Sequence, residues 1–363
     1  MPSELSLIVA GRRYLGWKSI RVVSSIESIA GSFDLEVSDR WGEDGEVWPI
    51  AEEDACQVAI DDDVVLDGYV DKRSMSISAT ARSLAYSGRD RAADLVDCSA
   101  VIGAVSSGGK KWVHRNVSLL EFARFLASPH GVEVSVQPGL VLGRVPVLTI
   151  SPGDTAYEAM ARAAGIVGVI VVSDGKGGLV ITRTGAARAE PLVQGVQVVS
   201  ASVDYDASDR YHRYVISSHV PGTDEAFGEA LRASAQAVDA GVRRESRVLL
   251  VRPDKGYSTA DARRRADWEA RTRAARAERV SVTVQGWRQR DGALWNVNAT
   301  TYVQVPAIGV RGTMLISQVE RSIGPEGELT QIRLVRPDAF EPEPKAVVAP
   351  SSGAWKELAG GGR

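Results

Sequence analysis

Residues 280–306 have the sequence VSVTVQGWRQRDGALWNVNATTYVQVP, which is typical of β-structure. Valines alternate with polar residues over 280–284, the two-residue period of a half-buried strand. An Asp-Gly pair at 291–292 supplies the positive-φ turn that a tight hairpin needs. Trp287 and Trp295 flank that turn, and large aromatic side chains beside a turn usually cover the end of a barrel or sandwich. The stretch therefore predicts a β-hairpin within a structural scaffold.

The length and composition favour a globular protein of two or three domains. The chain has 363 residues, of which 44% are hydrophobic and 25% charged. A net charge of −3 gives no general electrostatic reason to bind nucleic acid or membranes. The apolar run 166–172 is too short to span a bilayer, and the N-terminus lacks the basic segment of a signal peptide. We therefore expect a protein that is made and assembled in the cytoplasm.

The pattern along the chain predicts a β-rich α+β fold, with two similar small β-barrels, an intervening α/β module and a helical insertion. Short alternating segments separated by turn residues indicate the barrels. The two barrels suggest an architectural repeat, although no repeat is visible residue by residue. The predicted divisions are a first β-barrel domain at 1–97, an α/β module at 98–190, a second β-barrel domain at 191–222 and 280–337, a mainly helical insertion at 223–279, and a flexible C-terminal tail at 338–363.

The α/β module contains two helices with recognisable caps. Ser118 and Glu121 predict a capping box for a helix over 118–128. Asp154 is the predicted N-cap of a helix over 155–164. The segment 166–182 then predicts a β-hairpin.

Several segments suggest ligand sites but favour structural interpretations. Residues 103–112, GAVSSGGKKW, have neither the glycine spacing nor the Ser or Thr of a phosphate-binding loop. Asp61–Asp63 lies between two predicted strands, where aspartates commonly cap turns. Ser173–Gly178 matches a calcium loop only at its start.

The histidines and cysteines do not predict a catalytic or metal site either. His114, His130, His212 and His219 lack the spacing of metal ligands. Cys56 and Cys98 are expected to be two buried thiols. We therefore predict no catalytic, cofactor-binding or metal-binding residues, no cofactor and no enzymatic activity.

An arginine-rich segment at 260–279, ADARRRADWEARTRAARAER, could contact phosphates. Acidic residues interrupt its positive face, and alanines recur every four residues from Ala262 to Ala274. The sequence favours a solvated helix that packs through this alanine ridge.

Three groups of residues together resemble one family, and they occur along the chain in the order found in that family. The first group is Gly286-Trp287, Asp291-Gly292, Leu294-Trp295, Asn298, Pro306 and Pro337–Phe340; the second is VVLDGYVDKRSMS at 64–76 and YSGRDRAADLVDCSAV at 86–101; the third is DAGVRRESRVLL at 239–250 and RADWE at 265–269. Together they are similar to the baseplate hub proteins of contractile phage tails, in the Mu-like and late-control D branch. The resemblance covers most of residues 56–340.

The resemblance implies two similar β-barrels per chain and a homotrimeric ring of pseudo-six-fold symmetry that connects the tail tube to the central spike. Type VI secretion spikes contain similar hub domains. Implied partners are further copies of the chain, the spike, and the tube or adjacent baseplate proteins, without sequence-specific nucleic acid or membrane. The implied location is the virion baseplate. A tail-associated cell-wall hydrolase is the alternative, and a nucleic-acid-binding module that uses Arg263, Arg264 and Arg265 is a further one.

Overall fold

The structure is a computed structural model with two compact units. It describes residues 3–38, 48–78, 82–100, 113–151, 153–219, 232–253, 257–324 and 326–344. The first unit comprises Met1–Asp209 and Thr272–Pro342, and the second comprises Arg210–Arg271 and Glu343–Arg363. The predicted tail lies outside the described residues from 345 onward.

The described residues form a β-rich α+β fold, as predicted. The strands are β1 Leu5–Val9, β2 Arg12–Tyr14, β3 Ser19–Ser25, β4 Ser32–Ser38, β5 Ala55–Ile60, β6 Asp63–Ile77, β7 Arg82–Asp90, β8 Val113–Ser118, β9 Val134–Val136, β10 Arg144–Thr149, β11 Ile170–Ser173, β12 Leu179–Thr182, β13 Ala187–Arg188, β14 Leu192–Val193, β15 Val198–Tyr205, β16 Arg213–His219, β17 Arg232–Val238, β18 Val248–Val251, β19 Glu278–Gln285, β20 Ala299–Val305, β21 Val310–Gly324 and β22 Gly327–Val335. The helices are α1 Ala93–Asp97, α2 Leu119–Ala127, α3 Ala156–Ile166 and α4 Thr259–Arg276, with 3-10 turns at Ser128–His130, Pro306–Ile308 and Pro337–Phe340.

One sheet of 14 strands dominates the first unit. Across it the strands follow the order β15, β19, β22, β21, β3, β4, β7, β6, β5, β1, β2, with β20 beside β21 and with β13 and β14 beside β20. We call β1 to β7 the N-terminal sheet half, and β13 to β15 with β19 to β22 the C-terminal sheet half. The antiparallel pair β21–β3 joins the two halves.

Each sheet half has its own apolar core. In β19 the alternating Val280, Val282 and Val284 are all buried, as the two-residue period predicts. Trp287 packs into the core of the N-terminal half, whereas Trp295 packs into the core of the C-terminal half. The loop between β19 and β20 therefore contributes one tryptophan to each core.

The hairpin predicted around Asp291-Gly292 is wrong at the level of strand pairing. Gly292 does adopt a positive φ of 87°, and Arg288 and Leu294 form an isolated bridge around the turn. However, β19 pairs with β15 on one side and β22 on the other, so neither side is left for β20. The turn therefore belongs to a loop that connects strands from different parts of the sheet.

The α/β module has its own core between α2, α3 and two small sheets. The Ser118 hydroxyl accepts from the backbone N–H of Glu121 at the start of α2, which confirms the predicted N-cap. For α3 the N-cap is Thr155 rather than Asp154, and Thr155 and Glu158 form a reciprocal capping box. Asp154 is instead engaged by Arg162. β11 and β12 form the predicted hairpin, which begins at Ile170 because α3 continues through Ile166.

The second unit contains a three-stranded sheet and the N-terminal part of α4. β16, predicted to belong to the second barrel, pairs with β17 and β18 instead. In its described residues, the segment 223–279 thus holds β17, β18 and the start of β19 besides its helix. The sequence of β17, RASAQAV, gave no strand signal because alanine and glutamine favour helices and only strand pairing makes it extended. Among the described residues, no helix is both long and apolar enough to cross a membrane.

Candidate assembly surfaces

The three aspartates at 61–63 form a charged anchor at the tip of the β5–β6 hairpin. Arg288 Nη2 lies 2.9 Å from an Asp61 carboxylate oxygen, and Arg288 Nη1 lies 2.7 Å from one of Asp63. The backbone N–H of Glu4 also donates to Asp61, and this bond, with Arg288, lowers the pKa of the Asp61 carboxyl. Asp62 faces Arg13 at 3.8 Å. These carboxylates are thus matched by arginines.

The predicted turn at Ser173–Gly178 is stabilised by its own aspartate. One Asp174 oxygen accepts from the backbone N–H groups of Lys176, at 2.7 Å, and Gly178, at 2.9 Å. This is the local capping that aspartate commonly provides in turns. Within the described ranges, no group of three or more His, Cys, Asp or Glu side chains is placed to hold a metal ion.

The histidines are dispersed rather than grouped. His212 Nδ1 lies 2.7 Å from the carbonyl oxygen of Val242, and His114 stacks edge-on against Phe122 with ring centroids 5.1 Å apart. His130 lies in the 3-10 turn after α2, and the side chain of His219 lies outside the described residues.

The cysteines differ from each other, contrary to expectation. Cys56 is buried on β5, and burial is the main cause that raises the pKa of its thiol to about 12. Cys98 is exposed, so the prediction of two buried thiols is wrong for Cys98. It follows α1 directly, where the chain leaves the core.

A surface depression adds no chemical group, and the remaining candidate loop cannot be compared with it. The segment 103–112 lies outside the described residues. A shallow depression of about 580 Å³ is lined by Val193, Gln194, Gly195, Gln304, Pro306 and Ala307. This lining contains no titratable side chain.

Three arginines of α4 pair with acidic residues of the same helix. Arg263 contacts Asp267 at 3.1 Å, Arg264 pairs with Asp261, and Arg265 contacts Glu269 at 2.7 Å. Arg265 also lies over the ring of Trp268, 4.8 Å from its centroid.

The alanines of the same helix form its packing side. Ala262 and Ala266 are fully buried and pack with Ile216, Ala237 and Tyr257. The alanine ridge is confirmed at these positions. Three of the six arginines of α4 are thus paired with acidic residues of the same helix.

Among the described strands of the large sheet, β6 and β15 each have a stretch with an unpaired side. β5 pairs with β6 only as far as Tyr69, and no described strand covers the same side of residues 72–77. Met75 and Ile77 in this overhang are 55% and 73% exposed. β15 lies at the edge of the sheet and pairs along its length with β19 alone among the described strands. The sequence shows these segments as strands, but an unpaired side is visible only once the pairing is known.

The comparisons match most of the chain to phage baseplate proteins. Residues 4–90 match the N-terminal domain model of the Mu phage baseplate assembly protein GpP-like family. Residues 92–183 match the second-domain model of gp44-like baseplate hub proteins, and residues 258–343 match the fourth domain of GpP.

Individual relatives agree with these models. The chain is 30% identical to the baseplate hub protein gp44 of Escherichia phage Mu over 349 residues, covering 94% of this chain and 89% of gp44. The 43 kDa tail protein of prophage MuSo2 from Shewanella oneidensis superposes with a TM-score of 0.80 at 30% identity, covering 93% of this chain and 99% of that protein. A tail protein from Neisseria meningitidis has a TM-score of 0.77 at 21% identity, covering 95% and 99% of the two chains.

A type VI secretion component from Escherichia coli has a related fold, with a TM-score of 0.53 at 8% identity over 91% of this chain and 76% of that one. The resemblance predicted from three groups of residues is therefore confirmed by family models, a curated relative and solved structures. The chain belongs to the family of Mu-type phage baseplate hub proteins, structural components of the virion tail.

Proposed function

We propose that three copies of this chain form a ring of pseudo-six-fold symmetry that joins the tube of a contractile phage tail to the central spike. The observation that carries the proposal is that five strands recur in the same order in each sheet half. In sequence these are β3, β4, β5, β6 and β7, and then β15, β19, β20, β21 and β22. In both halves the spatial order is first, second, fifth, fourth, third.

This repeat supports a symmetry adapter. Each chain contributes two sheet halves with the same strand order, so three chains contribute six. A ring of six similar bodies can face a six-fold tube, while its true three-fold symmetry matches a trimeric spike. We propose that each sheet half curls into one of the two small β-barrels.

The domain arrangement follows from the same proposal. The first barrel domain occupies 1–97, the α/β module 98–190, and the second barrel domain 191–222 and 280–337, interrupted by the insertion at 223–279. We modify this division at one point: because β16 pairs with β17 and β18, we propose that residues 213–219 belong with the insertion.

We also propose that the chain acts through its interfaces and has no catalytic role. The structural names of the relatives support this view over the cell-wall hydrolase. The internal ion pairs of α4 favour packing over nucleic-acid binding.

Light scattering over a concentration series, with and without the cognate spike protein, tests the proposal. We expect a particle of three 38.8 kDa chains that gains mass when the spike is added. A mass of one chain at every concentration, unchanged by the spike, would contradict it.

A further inference from the structure

The internal repeat extends to the details of the longest strands. β6 and β21 both have 15 residues, and each has an irregularity against the strand that follows it. The register shifts between Val70 and Lys72 in β6, and between Ile316 and Gln318 in β21. Aligning these shifts places residues 72–77 of β6 in the same position as residues 318–323 of β21.

The equivalent segments differ in what pairs with them. In β21, pairing with β20 ends at Leu315, and residues 318–323 then pair on the same side with residues 20–25 of β3. In β6, pairing with β5 ends at Tyr69, and no described strand covers the same side of residues 72–77. One copy of the repeat is thus joined to a neighbour within the chain, and the other is left open.

The partner missing from β6 has a counterpart in the repeat. β3 is the first strand of the N-terminal half, and β15 is the first strand of the C-terminal half. β3 pairs with β4 on one side and β21 on the other, whereas β15 pairs with β19 and, apart from an isolated bridge between Val198 and Gln194, has no described strand on its other side. Each chain therefore has one unpaired overhang, residues 72–77 of β6, and one unpaired edge strand, β15. Their counterparts in the repeat, β21 and β3, pair with each other within the chain.

We infer that residues 72–77 of one copy pair antiparallel with residues 201–206 of the next copy, so that the β21–β3 junction is repeated between chains. This inference rests on the proposed ring and specifies how its subunits join. Another copy of this chain therefore pairs with each of the two free edges.

The register follows from the intramolecular junction. In β3, Ile20 pairs with Leu35 and Val22 with Phe33. The corresponding pairs of β15 are Ala201 with Val282 and Val203 with Val280. Ala201 is therefore equivalent to Ile20, and Val203 to Val22. β21 sets Ile323 opposite Ile20 and Arg321 opposite Val22. By equivalence, Ile77 lies opposite Ala201, Met75 opposite Val203, and Lys72 opposite Asp206.

These predicted neighbours are chemically complementary. Met75 and Ile77 are exposed apolar side chains, and they meet half-buried apolar residues at the open side of the C-terminal core. Lys72 and Asp206, both exposed, bring opposite charges together. Opposed pairs of these kinds stabilise antiparallel strands.

The edge strand has few of the features that prevent unwanted pairing, and Asp204 is its one charged side chain. β15 has eight residues, VVSASVDY, without lysine, arginine or proline. Val199 is 56% exposed and Tyr205 67% exposed. Natural proteins usually protect such an edge by charge, proline or a covering segment. The opposite edge of the sheet, β2, has only three residues, two of them arginine.

The inferred contact has the symmetry that a ring requires. It joins two different surfaces, the N-terminal half of one chain and the C-terminal half of the next, and is therefore heterologous. In a ring of three chains, three β21–β3 junctions within chains would alternate with three β6–β15 junctions between chains, which makes six junctions of one type.

Engineered disulfides test the register. In a Cys98→Ser background, which removes the exposed thiol, one variant carries Ile77→Cys with Ala201→Cys and a second carries Ser76→Cys with Ser202→Cys. Two adjacent pairs are used because narrow and wide pairs alternate along antiparallel strands. We expect mild oxidation to give a covalent species of three chains on non-reducing gels for at least one variant.

Two controls are matched to these variants. Ser322→Cys with Arg21→Cys reproduces the second pair at the intramolecular junction, and it should form a bond within one chain. Ser74→Cys with Ser200→Cys is out of register by about four residues, roughly 13 Å, and should stay unbridged.

Light scattering on the same samples separates the two proposals. A three-chain particle in which neither in-register variant cross-links, or in which the out-of-register control cross-links equally, overturns the inferred pairing and leaves the proposed function standing. A two-chain particle overturns the heterologous contact. A one-chain mass at every concentration overturns the proposed function and the pairing with it.

Discussion

At the scale of single residues, buried or paired charges hold together segments that are distant in sequence. Asp90, at the end of β7, is buried and accepts hydrogen bonds from the backbone N–H of Gly31 at 2.9 Å and that of Ala92 at 3.0 Å. The Ser173 hydroxyl of the α/β module donates to the same carboxylate at 2.8 Å. Burial outweighs these bonds and raises the pKa of Asp90 to about 6.

This raised pKa predicts a pH-dependent stability. Below about pH 4 the Asp90 carboxyl is protonated in both the folded and unfolded chains, whereas above about pH 6 its burial as an anion opposes folding. The stability of the native protein relative to Asp90→Asn should therefore fall by about 2 kcal/mol between pH 4 and pH 7. Thermal unfolding of both proteins across this range measures the difference.

Asp206→Asn is the control for this experiment. Hydrogen bonds from Ser208 lower the pKa of Asp206, so its contribution to stability is lost as pH falls, the opposite sign. A difference between native protein and Asp90→Asn that is constant with pH would contradict the assignment.

Arg288 provides a second test at this scale, because it connects the loop after β19 to the β5–β6 hairpin. Arg288→Met should destabilise the protein by about 1 kcal/mol, a modest value because the paired carboxylates are partly exposed. Hydrogen exchange at residues 60–63 should also accelerate. Arg12→Met removes an exposed arginine that has no ion-pair partner among the described residues, and equal effects of the two changes would argue against the anchor.

At the scale of secondary-structure elements, strand pairing and helix packing determine which surfaces are free. α4 places Ala262 and Ala266 against the sheet of the second unit, while Arg263 and Asp267 pair on its exposed side. Unpaired arginines on the same helix would instead favour contact with phosphates.

Ala266→Leu tests the packing of α4. Ala266 is fully buried, so the added side-chain volume should destabilise the protein by about 1–3 kcal/mol through overpacking. Ala260→Leu introduces the same side chain at an exposed position in the first turn and should be nearly neutral. Similar thermal midpoints for the two variants would show that the alanine ridge is not a packing surface.

Local patterns predict elements better than they predict partners. The alternation in 280–284 is enough to predict a strand, because side-chain period is a local property. The pairing of β19 with β15 and β22 depends on residues far along the chain, so the predicted hairpin was wrong. Thr155 and Glu158 have the spacing of a capping box, a local signal that favours Thr155 over the predicted Asp154 as the cap of α3.

The candidate interface was harder to predict than the fold. Met75 and Ile77 continue the alternation of β6, and nothing in their sequence shows that β5 ends before them. Alanine-rich β17 similarly becomes a strand only through its neighbours. The family resemblance predicted the function, whereas the free edges required the strand order.

At the scale of the whole molecule, the repeated strand order is the feature that a hub needs. A chain that contains the same arrangement twice can present six similar bodies with only three copies. The overhang of β6 and the edge of β15 then become the two complementary sides of one contact. The proposed assembly uses a junction that the chain already forms internally between β21 and β3.

Electron microscopy of the purified full-length protein tests this account most directly. We predict ring-shaped particles with three-fold symmetry whose class averages show six similar β-rich bodies around a central opening. Averages dominated by single chains, by two-fold particles, or by rings of any other copy number would contradict the account.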